Sequence, residues 1–497
     1  MHHRCRVTRS HPPGRNAFAR RRPAPSPTRR RLLKAAAAGA VALPFALPFA
    51  PPFATPARAA GNAFALLVGN TSYNPSEENL PPALKCVRDL ETKLKRYGFE
   101  VATLHDPSIA QVQAELDKLQ RSVAAGPANA GVFYFVGHGF QSNAENYLVP
   151  AGGDLKATPD QLARTCISLE RDVFARLKRS EGPAATVIMV DTCRTPDRPR
   201  SPTEGYNQTL PPEGCHVAFA TGPGKRAFAP NDPLRYTLFA EALVAELDSS
   251  EADRSVHLTL ENVRAKVSRK VNAIDAIVRA FGPNAQEPEL ASNVSGDPTW
   301  IVGAAPTAAA AATPAPGAAS SAASDAAPTA LSPAEASAEL ERIRRLASPE
   351  EAAARLKALA DKLPEGDLAD LARQRLRDLD KVLEAARTAR LNLDLAALLA
   401  GRSPRFAEDV ARSLRGDKYA AMRVAEALPR PAGSELIERT EHGRWMIYAA
   451  YLGNGIAAWR LSEHFKNQDR RDVEAARYLN LARANRYTPP RQLESGR

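Results

Sequence analysis

The feature that most constrains the fold of this chain is a series of short apolar runs separated by longer amphipathic stretches. The runs are mostly continuous in hydrophobicity: AFALLVG (63–69), FEVATL (99–104), GVFYFVG (131–137), ATVIMVD (185–191) and CHVAFAT (215–221). Continuous apolar strands are typical of a parallel sheet covered on both faces, because neither face meets water. They therefore predict an α/β fold, an α/β/α sandwich around a mostly parallel sheet with right-handed crossovers.

Helices are predicted between these strands. The stretch 83–98 has one apolar face and ends at Gly98, a residue type that commonly terminates helices. The stretches 109–123, 161–180 and 236–247 have the same helical spacing of apolar residues.

The strand-and-helix pattern defines one domain, 60–302, and a change of composition ends it. Residues 303–334 are almost wholly Ala, Pro, Thr, Ser and Gly, a composition that cannot form a core and predicts a flexible linker. Residues 335–497 are rich in Ala, Leu, Arg and Glu and predict an all-helical domain.

The helical domain contains a weak internal repeat. The segments GDKYAAMRVAEAL (416–428) and GNGIAAWRLSEHF (453–465) align without gaps at a spacing of 37 residues. Such periods indicate stacked helix pairs, because one pair cannot bury its own apolar face. Residues 416–490 resemble the Sel1-like subclass of tetratricopeptide repeats, which implies a surface for a protein partner. An ordinary helical bundle is the alternative.

The positive charge of the chain is confined to its first 59 residues. These contain twelve Lys and Arg and no Asp or Glu, while the whole chain has a formal net charge of +12, so the remainder is neutral. A neutral remainder without a basic-aromatic stretch disfavours nucleic acid as a partner.

This basic segment has the layout of an export signal. TRRRLLK (28–34) resembles the twin-arginine signal and is followed by a Pro-interrupted apolar stretch and small residues up to Ala59. We expect a signal peptide over 1–59, cleaved after Ala59, and a periplasmic protein without a stable membrane span; an uncleaved anchor is the alternative.

The five cysteines do not form a metal or disulfide pattern. Cys5 lies in the signal, and no CxxC pair indicates zinc, so we expect no metal and no cofactor, with calcium dependence left open. Pairing among Cys86, Cys166 and Cys215 in an oxidising compartment is also left open. Cys193 lies at the end of a predicted strand, where we expect its thiol to be accessible.

The position of the strands ranks the histidines and cysteines as site residues, because sites in open α/β sheets form at the carboxyl ends of strands. Cys193 and His138 each follow a strand, so both are predicted at this edge. His105 also follows a strand, but His138 lies between two glycines, which let a substrate approach the backbone closely. Cys215 and His216 open their strand, at the opposite edge.

A cysteine and a histidine at the same edge can carry out nucleophilic catalysis. A cysteine nucleophile needs an imidazole that forms the thiolate and later protonates the leaving amine. It also needs backbone N–H donors for the oxyanion, which the amides of Gly139 and Cys193 can supply.

The residues around this pair resemble the caspase-like cysteine peptidases of the C14 type, in the bacterial branch related to metacaspases. FYFVGHGFQSNAENYLVPA (133–151) carries the aromatic strand, the Gly-His-Gly and the Glu-Asn-Tyr-Leu-x-Pro of the family, and VDTCR (190–194) matches its Asp-x-Cys strand end. The His–Cys separation of 55 residues agrees with the family's spacing of about 50. The resemblance covers residues 62 to about 302 and implies that His138 is the general base and acid and Cys193 the nucleophile.

The resemblance also implies a substrate pocket. Asp191 matches the acid that lines the pocket for a basic P1 side chain, a contact favoured by bidentate, charge-assisted hydrogen bonding; that Asp191 merely orders the turn is the alternative. Cys86 stands where the family has an aspartate, and a shifted alignment places Asp89 there instead. Arg194, next to the nucleophile, would favour an acidic P1 residue.

Together these features predict a cysteine-type endopeptidase with a Cys-His dyad and a preference for basic P1 residues, acting on protein or peptide substrates. The alternative function is a catalytically weak caspase-like scaffold that binds partners through its helical repeats.

Overall fold

The protein is described here by a computed structural model. It describes residues 62–142, 144–179, 184–192, 207–249, 255–296, 298–300, 331–344, 346, 348–392, 395–431 and 435–489. The predicted signal (1–59), the predicted nucleophile Cys193 and most of the predicted linker lie outside the described residues.

The first region, residues 62–300, contains a sheet whose described strands follow the order β2-β1-β3-β7-β8-β9 and a smaller one with the order β4-β5-β6. The strands are β1 (Ala63–Gly69), β2 (Phe99–His105), β3 (Ala130–Gly137), β4 (Gly139–Ser142), β5 (Glu145–Leu148), β6 (Ile167–Ser168), β7 (Thr186–Thr192), β8 (Cys215–Phe219) and β9 (Glu289–Ser292). In the larger sheet all described pairs are parallel except β8 with β9. The mostly parallel sheet predicted from the continuous apolar runs is confirmed.

Helices cover both faces of this sheet. The described helices of this region are α1 (Ala83–Arg96), α2 (Ile109–Ala124), α3 (Pro159–Leu162), α4 (Ala175–Leu177), α5 (Leu238–Ser249), α6 (Val256–Asn272) and α7 (Asp275–Phe281). Alternate residues of β3 face opposite layers, as strand geometry requires. Tyr134 belongs to the cluster formed with α1, α5 and α6, whereas Phe133 and Phe135 belong to the cluster formed with α2. This arrangement confirms the α/β/α sandwich.

The helix predicted over 161–180 is wrong. This stretch contains the end of α3, the short strand β6, a π-helical turn (Leu169–Phe174) and α4. Ser168 caps the start of this π-helical turn, because its hydroxyl accepts from the Arg171 amide and its own amide donates to Asp172. The smaller sheet and β9 were not predicted, since strands of two to four residues carry too little periodicity.

The second region, residues 331–489, is helical throughout its described part, as predicted. Its helices are α8 (Pro333–Arg344), α9 (Pro349–Ala360), α10 (Asp367–Ala389), α11 (Leu395–Leu399), α12 (Pro404–Ser413), α13 (Lys418–Ala427), α14 (Glu441–Tyr451), α15 (Gly455–Asn467) and α16 (Asp472–Ala484). Helix α8 begins inside the segment predicted as a linker. In this part of the chain, no helix has the length and apolar character needed to cross a membrane.

The two copies of the sequence repeat begin with the same local structure. Gly416 and Gly453, 37 residues apart, both adopt a φ of +99°. The next residue caps the following helix in each copy: Asp417 accepts from the Ala420 amide and Asn454 from the Ala457 amide. The repeated Gly-Asp/Asn pair therefore marks a helix start, and its assignment to the Sel1-like class stays a prediction.

The two regions are in direct contact, and we call this contact surface the junction. Gln208 (5% exposed) donates to the carbonyl oxygens of Gly453 (2.8 Å) and Asn485 (2.9 Å) and accepts from the Gly455 amide (2.7 Å). Asn207 exchanges two further hydrogen bonds with the backbone of Thr488. The helical region is thus packed against the sheet-containing region.

Candidate active site

Strands β3 and β7 lie side by side and end at the same edge of the sheet. Their parallel register pairs Val136 with Asp191 and Gly137 with Thr192, the last residues of the two strands. His138 follows Gly137 directly, and position 193 follows Thr192 directly in the sequence. The described backbone therefore ends β3 and β7 side by side, each one residue before a predicted catalytic position in the sequence.

The imidazole of His138 is half-buried and oriented by a backbone carbonyl. Its Nε2 lies 2.7 Å from the oxygen of Glu78, the last residue of a 3₁₀ turn (Ser76–Glu78). Because a carbonyl oxygen only accepts hydrogen bonds, Nε2 carries the proton in the neutral ring. Nδ1 is then the unprotonated nitrogen, able to accept a proton.

Tyr73 contacts His138 through both its hydroxyl and its ring, a role that the sequence did not predict. Its hydroxyl accepts from the His138 amide (3.0 Å), and its ring contacts the imidazole edge-on at 4.5 Å between centroids. Burial raises the pKa of the Tyr73 hydroxyl. A Cβ at Gly137 would lie 2.5 Å from the Tyr73 hydroxyl oxygen, so only glycine fits there. The sequence signal was the GNTSY segment after the first strand.

The loop that carries Tyr73 is fixed at several points. Asn70 donates from its side chain to the carbonyl oxygen of Val149 (2.9 Å). Asp106 accepts from the amides and hydroxyls of Thr71 and Ser72. Burial raises the pKa of Asp106, but these hydrogen bonds outweigh burial and hold that pKa below its ordinary value. Tyr73 and Glu78 are thus held by a well-connected loop.

The backbone amide of Gly139, the predicted oxyanion donor, lies at the start of β4. Strands β4 and β5 are antiparallel, with Gly139 opposite Leu148, and the Val149 amide donates to the His138 carbonyl oxygen (3.0 Å). Hydrogen-bonded and non-hydrogen-bonded pairs alternate along antiparallel strands. The Gly139–Leu148 pair is therefore non-hydrogen-bonded, and the Gly139 amide points away from β5.

Asp191 is buried, with 2% of the residue exposed, next to the end of β7. One of its carboxylate oxygens accepts from the hydroxyls of Tyr134 (2.8 Å) and Thr237 (2.5 Å). Burial raises the pKa of Asp191 to about 6, although both hydrogen bonds oppose the rise. The sulfur of Cys86 lies 4.0 Å from the Thr237 hydroxyl oxygen, and burial raises its pKa to about 12.

Asp89 is more accessible than Asp191, with 34% of its side chain exposed. It accepts from Lys85 (2.6 Å) and from the Tyr236 hydroxyl. Burial raises the pKa of Asp89, but these two hydrogen bonds lower it below its ordinary value overall. Consecutive residues, Tyr236 and Thr237, therefore bind the two predicted substrate-binding carboxylates, and sequence reasoning identified neither.

The other histidines and cysteine compared with His138 and Cys193 lie away from the carboxyl ends of β3 and β7. His105 is exposed at the end of β2, with β1 and β3 between it and β7, roughly 14 Å from β7 at about 4.8 Å per strand. Cys215 and His216 open β8 at the opposite edge, as predicted, and burial holds the pKa of His216 well below its ordinary value. Among the described cysteines, Cys86, Cys166 and Cys215 are free thiols. No cluster of three His, Cys, Asp or Glu side chains within the described residues is arranged to hold a metal ion.

Comparison with known proteins agrees with this architecture. The family model of the caspase domain of C14 peptidases matches residues 62–297. This part of the chain is a caspase domain. The family consists of cysteine peptidases, so its members are hydrolases that act on proteins.

A solved structure, caspase-1 from Spodoptera frugiperda, is similar to this chain with 17% sequence identity and a TM-score of 0.33. The match covers 49% of this chain and 90% of that chain. No curated protein matches the sequence.

Proposed function

We propose that the chain is a cysteine endopeptidase that uses Cys193 as nucleophile and His138 as general base and acid. The observation that carries this proposal is the parallel register of β3 and β7, which ends directly before these two positions. The caspase domain and the oriented imidazole of His138 support it.

In the proposed mechanism, Nδ1 of His138 takes the thiol proton of Cys193, and the thiolate attacks the scissile carbonyl carbon. The amides of Gly139 and Cys193 donate to the resulting oxyanion. The intermediate collapses to a thioester, and the leaving amine takes the proton from His138. Water, deprotonated by His138, then hydrolyses the thioester and releases the acid product with regeneration of the thiol.

We propose a basic P1 preference, supported by the two carboxylates close to this edge. Asp191 is the inner acid, and Asp89 is the more accessible one. A guanidinium or ammonium group near Asp191 would favour its ionised form, since an opposite charge lowers the pKa of a carboxyl group. The peptidase should therefore cleave after Arg or Lys better above pH about 6 than below it.

The test uses purified residues 60–497 and fluorogenic peptides with Arg, Lys or Asp at P1, with and without calcium. We expect hydrolysis after Arg or Lys, its loss in Cys193→Ala, and a fall of about 10²- to 10⁴-fold in His138→Ala. Cys166→Ala and His105→Ala are the matched controls and should retain activity.

Hydrolysis of none of the peptides would contradict the enzyme proposal and favour the scaffold function. Cleavage after Asp only would support an endopeptidase but contradict the proposed role of Asp191 in binding a basic P1 side chain.

We also propose export through the predicted twin-arginine signal, which cell fractionation tests: intact residues 1–59 on a cytoplasmic protein would contradict it. Binding of a protein partner by the helical region stays a prediction.

A further inference from the structure

A cavity of about 730 Å³ lies at the junction, away from the candidate active site. On the caspase side it is lined by β8, β9 and α6, and on the helical side by α8, α9, α10 and the turn between α12 and α13. Its volume lies within the range of about 300–1,000 Å³ that is usual for small-molecule sites. His216, which lines it, opens β8 at the edge opposite to His138.

Part of the cavity wall is apolar. Aliphatic side chains from both regions contribute, among them Val217, Leu260, Leu356, Leu379 and Leu414. Such a wall accommodates the apolar body of a ligand, while converging polar groups fix its orientation.

Most cationic side chains of the wall have acidic partners within the protein. The pairs are Arg264 with Glu287 (2.7 Å) and Asp378 (3.1 Å), Arg375 with Glu261 (2.5 Å), Arg412 with Asp417 (3.0 Å), Lys418 with Glu289 (2.7 Å) and Lys225 with Glu287 (3.3 Å). These pairs neutralise one another and leave little net charge for a ligand.

Arg415 differs from these cations in its lack of an acidic partner at ion-pair distance among the described residues. It lines the same cavity and is partly buried, yet its side chain makes no hydrogen bond or ion pair with any described residue. Burial lowers the pKa of Arg415, and the nearby cations Arg344 and Arg412 lower it further, although the carboxylates of Glu261 and Asp417 oppose this. A partly buried guanidinium without a hydrogen-bonded partner is only partly hydrated, so an anion beside it would add favourable charge-assisted contacts.

Two further polar groups of the wall lack partners among the described residues. Nε2 of His216 and the hydroxyl of Ser292 belong to residues that are directly opposite each other on β8 and β9. Both atoms are buried behind the cavity wall, so neither is assigned to a ligand.

We propose that this cavity binds a small organic anion with an apolar body, whose carboxylate, sulfonate or phosphate group is held by Arg415. The apolar wall supplies the contact area, and the planar guanidinium supplies bidentate, charge-assisted hydrogen bonds. The proposal does not depend on peptidase activity.

The test titrates the full chain with two fluorescent probes that share one aromatic body: anilinonaphthalene sulfonate and the uncharged phenylnaphthylamine. We expect Arg415→Gln to weaken sulfonate binding about tenfold or more, because it removes a charge-assisted contact. Phenylnaphthylamine binding should change little. Arg387→Gln, the same substitution at an exposed arginine paired with Glu384, should bind both probes as the wild type does.

Without probe, Arg415→Gln should have a melting temperature no lower than that of the wild type, because no described partner is lost. Equal sulfonate affinity in the wild type and Arg415→Gln would overturn the proposal. So would a variant that fails to fold or melts several degrees lower, since Arg415 would then be a structural cation. Arg415→Lys keeps the charge but loses the planar fork, and should bind the sulfonate with intermediate affinity.

Discussion

The candidate active site and the junction hold buried carboxylates in opposite ways. The donors to Asp191 among the described residues are two hydroxyls, so burial dominates and raises its pKa to about 6. Glu287 at the junction is also largely buried, but Arg264 and Lys225 outweigh burial and lower its pKa to about 2. With hydroxyl partners the carboxyl group titrates near neutral pH. With cationic partners it stays ionised and forms a constant ion pair.

The largest effect on this comparison is expected from Gln208→Ala at the junction. The substitution leaves one amide and two carbonyl groups of the helical region without their partner, which should cost about 3 kcal/mol of the free energy of unfolding. Urea unfolding measures it, with the exposed Gln468→Ala as control. A loss no larger than that of the control would show that the junction contributes little to stability.

The raised pKa of Asp191 makes the stability of the protein depend on pH. The folded state binds the Asp191 proton more tightly than the unfolded state, so the stability contributed by the neutral carboxyl group is lost as pH rises through about 6. Asp191→Asn cannot ionise, so its stability relative to the wild type should rise by about 2–3 kcal/mol between about pH 4 and pH 8.

Glu287→Gln should behave in the opposite sense. The folded pKa of Glu287 is depressed to about 2, so its stabilisation is present above its ordinary pKa of 4.5 and lost as pH falls towards 2. The variant should be less stable at neutral pH, and its deficit should shrink as the medium becomes acidic. Parallel pH slopes for the two variants, measured by urea unfolding, would contradict the comparison.

The smallest effect is expected beside His138. Tyr73→Phe removes the acceptor of the His138 amide and should cost about 1 kcal/mol of stability while lowering activity. Gly137→Ala forces a methyl group against the same hydroxyl and should lower activity as well. Because Tyr73→Phe removes the clashing atom, the double variant should be more active than Gly137→Ala alone; independent, additive losses would contradict this contact.

The sequence alone was sufficient to predict the five parallel strands of the larger sheet, and it placed the candidate site at their carboxyl ends. Runs such as GVFYFVG are apolar at every position, and only a strand buried on both faces needs that. The carboxyl-end rule then predicts that His138 and Cys193 lie at the same edge, a prediction for which the structure describes His138 only.

The contacts that hold the site could not be predicted in this way. Tyr73, Tyr236 and Thr237 are single residues in loops, without periodicity, and their partners are distant in sequence: Thr237 lies 46 residues from Asp191. Side-chain direction in a loop depends on the packed structure, which a pattern of residue types does not contain.

The sequence also did not predict the junction, because the charged residues that form it have the pattern of an exposed surface. Arg264, Arg412 and Asp378 lie on helices whose charged residues resemble a solvated surface. Only their partners on other elements show that they are interior contacts. Sequence analysis therefore predicted two domains and a linker, but not the contact between the domains.

The pairing of β7 with β8 has a consequence for any chain cut between Thr192 and Asn207. The two strands are hydrogen-bonded neighbours in register from Thr186 and Cys215 onward, so a single backbone break between them separates no strand from the sheet. The two pieces would run as separate bands on a denaturing gel and still elute together from a sizing column.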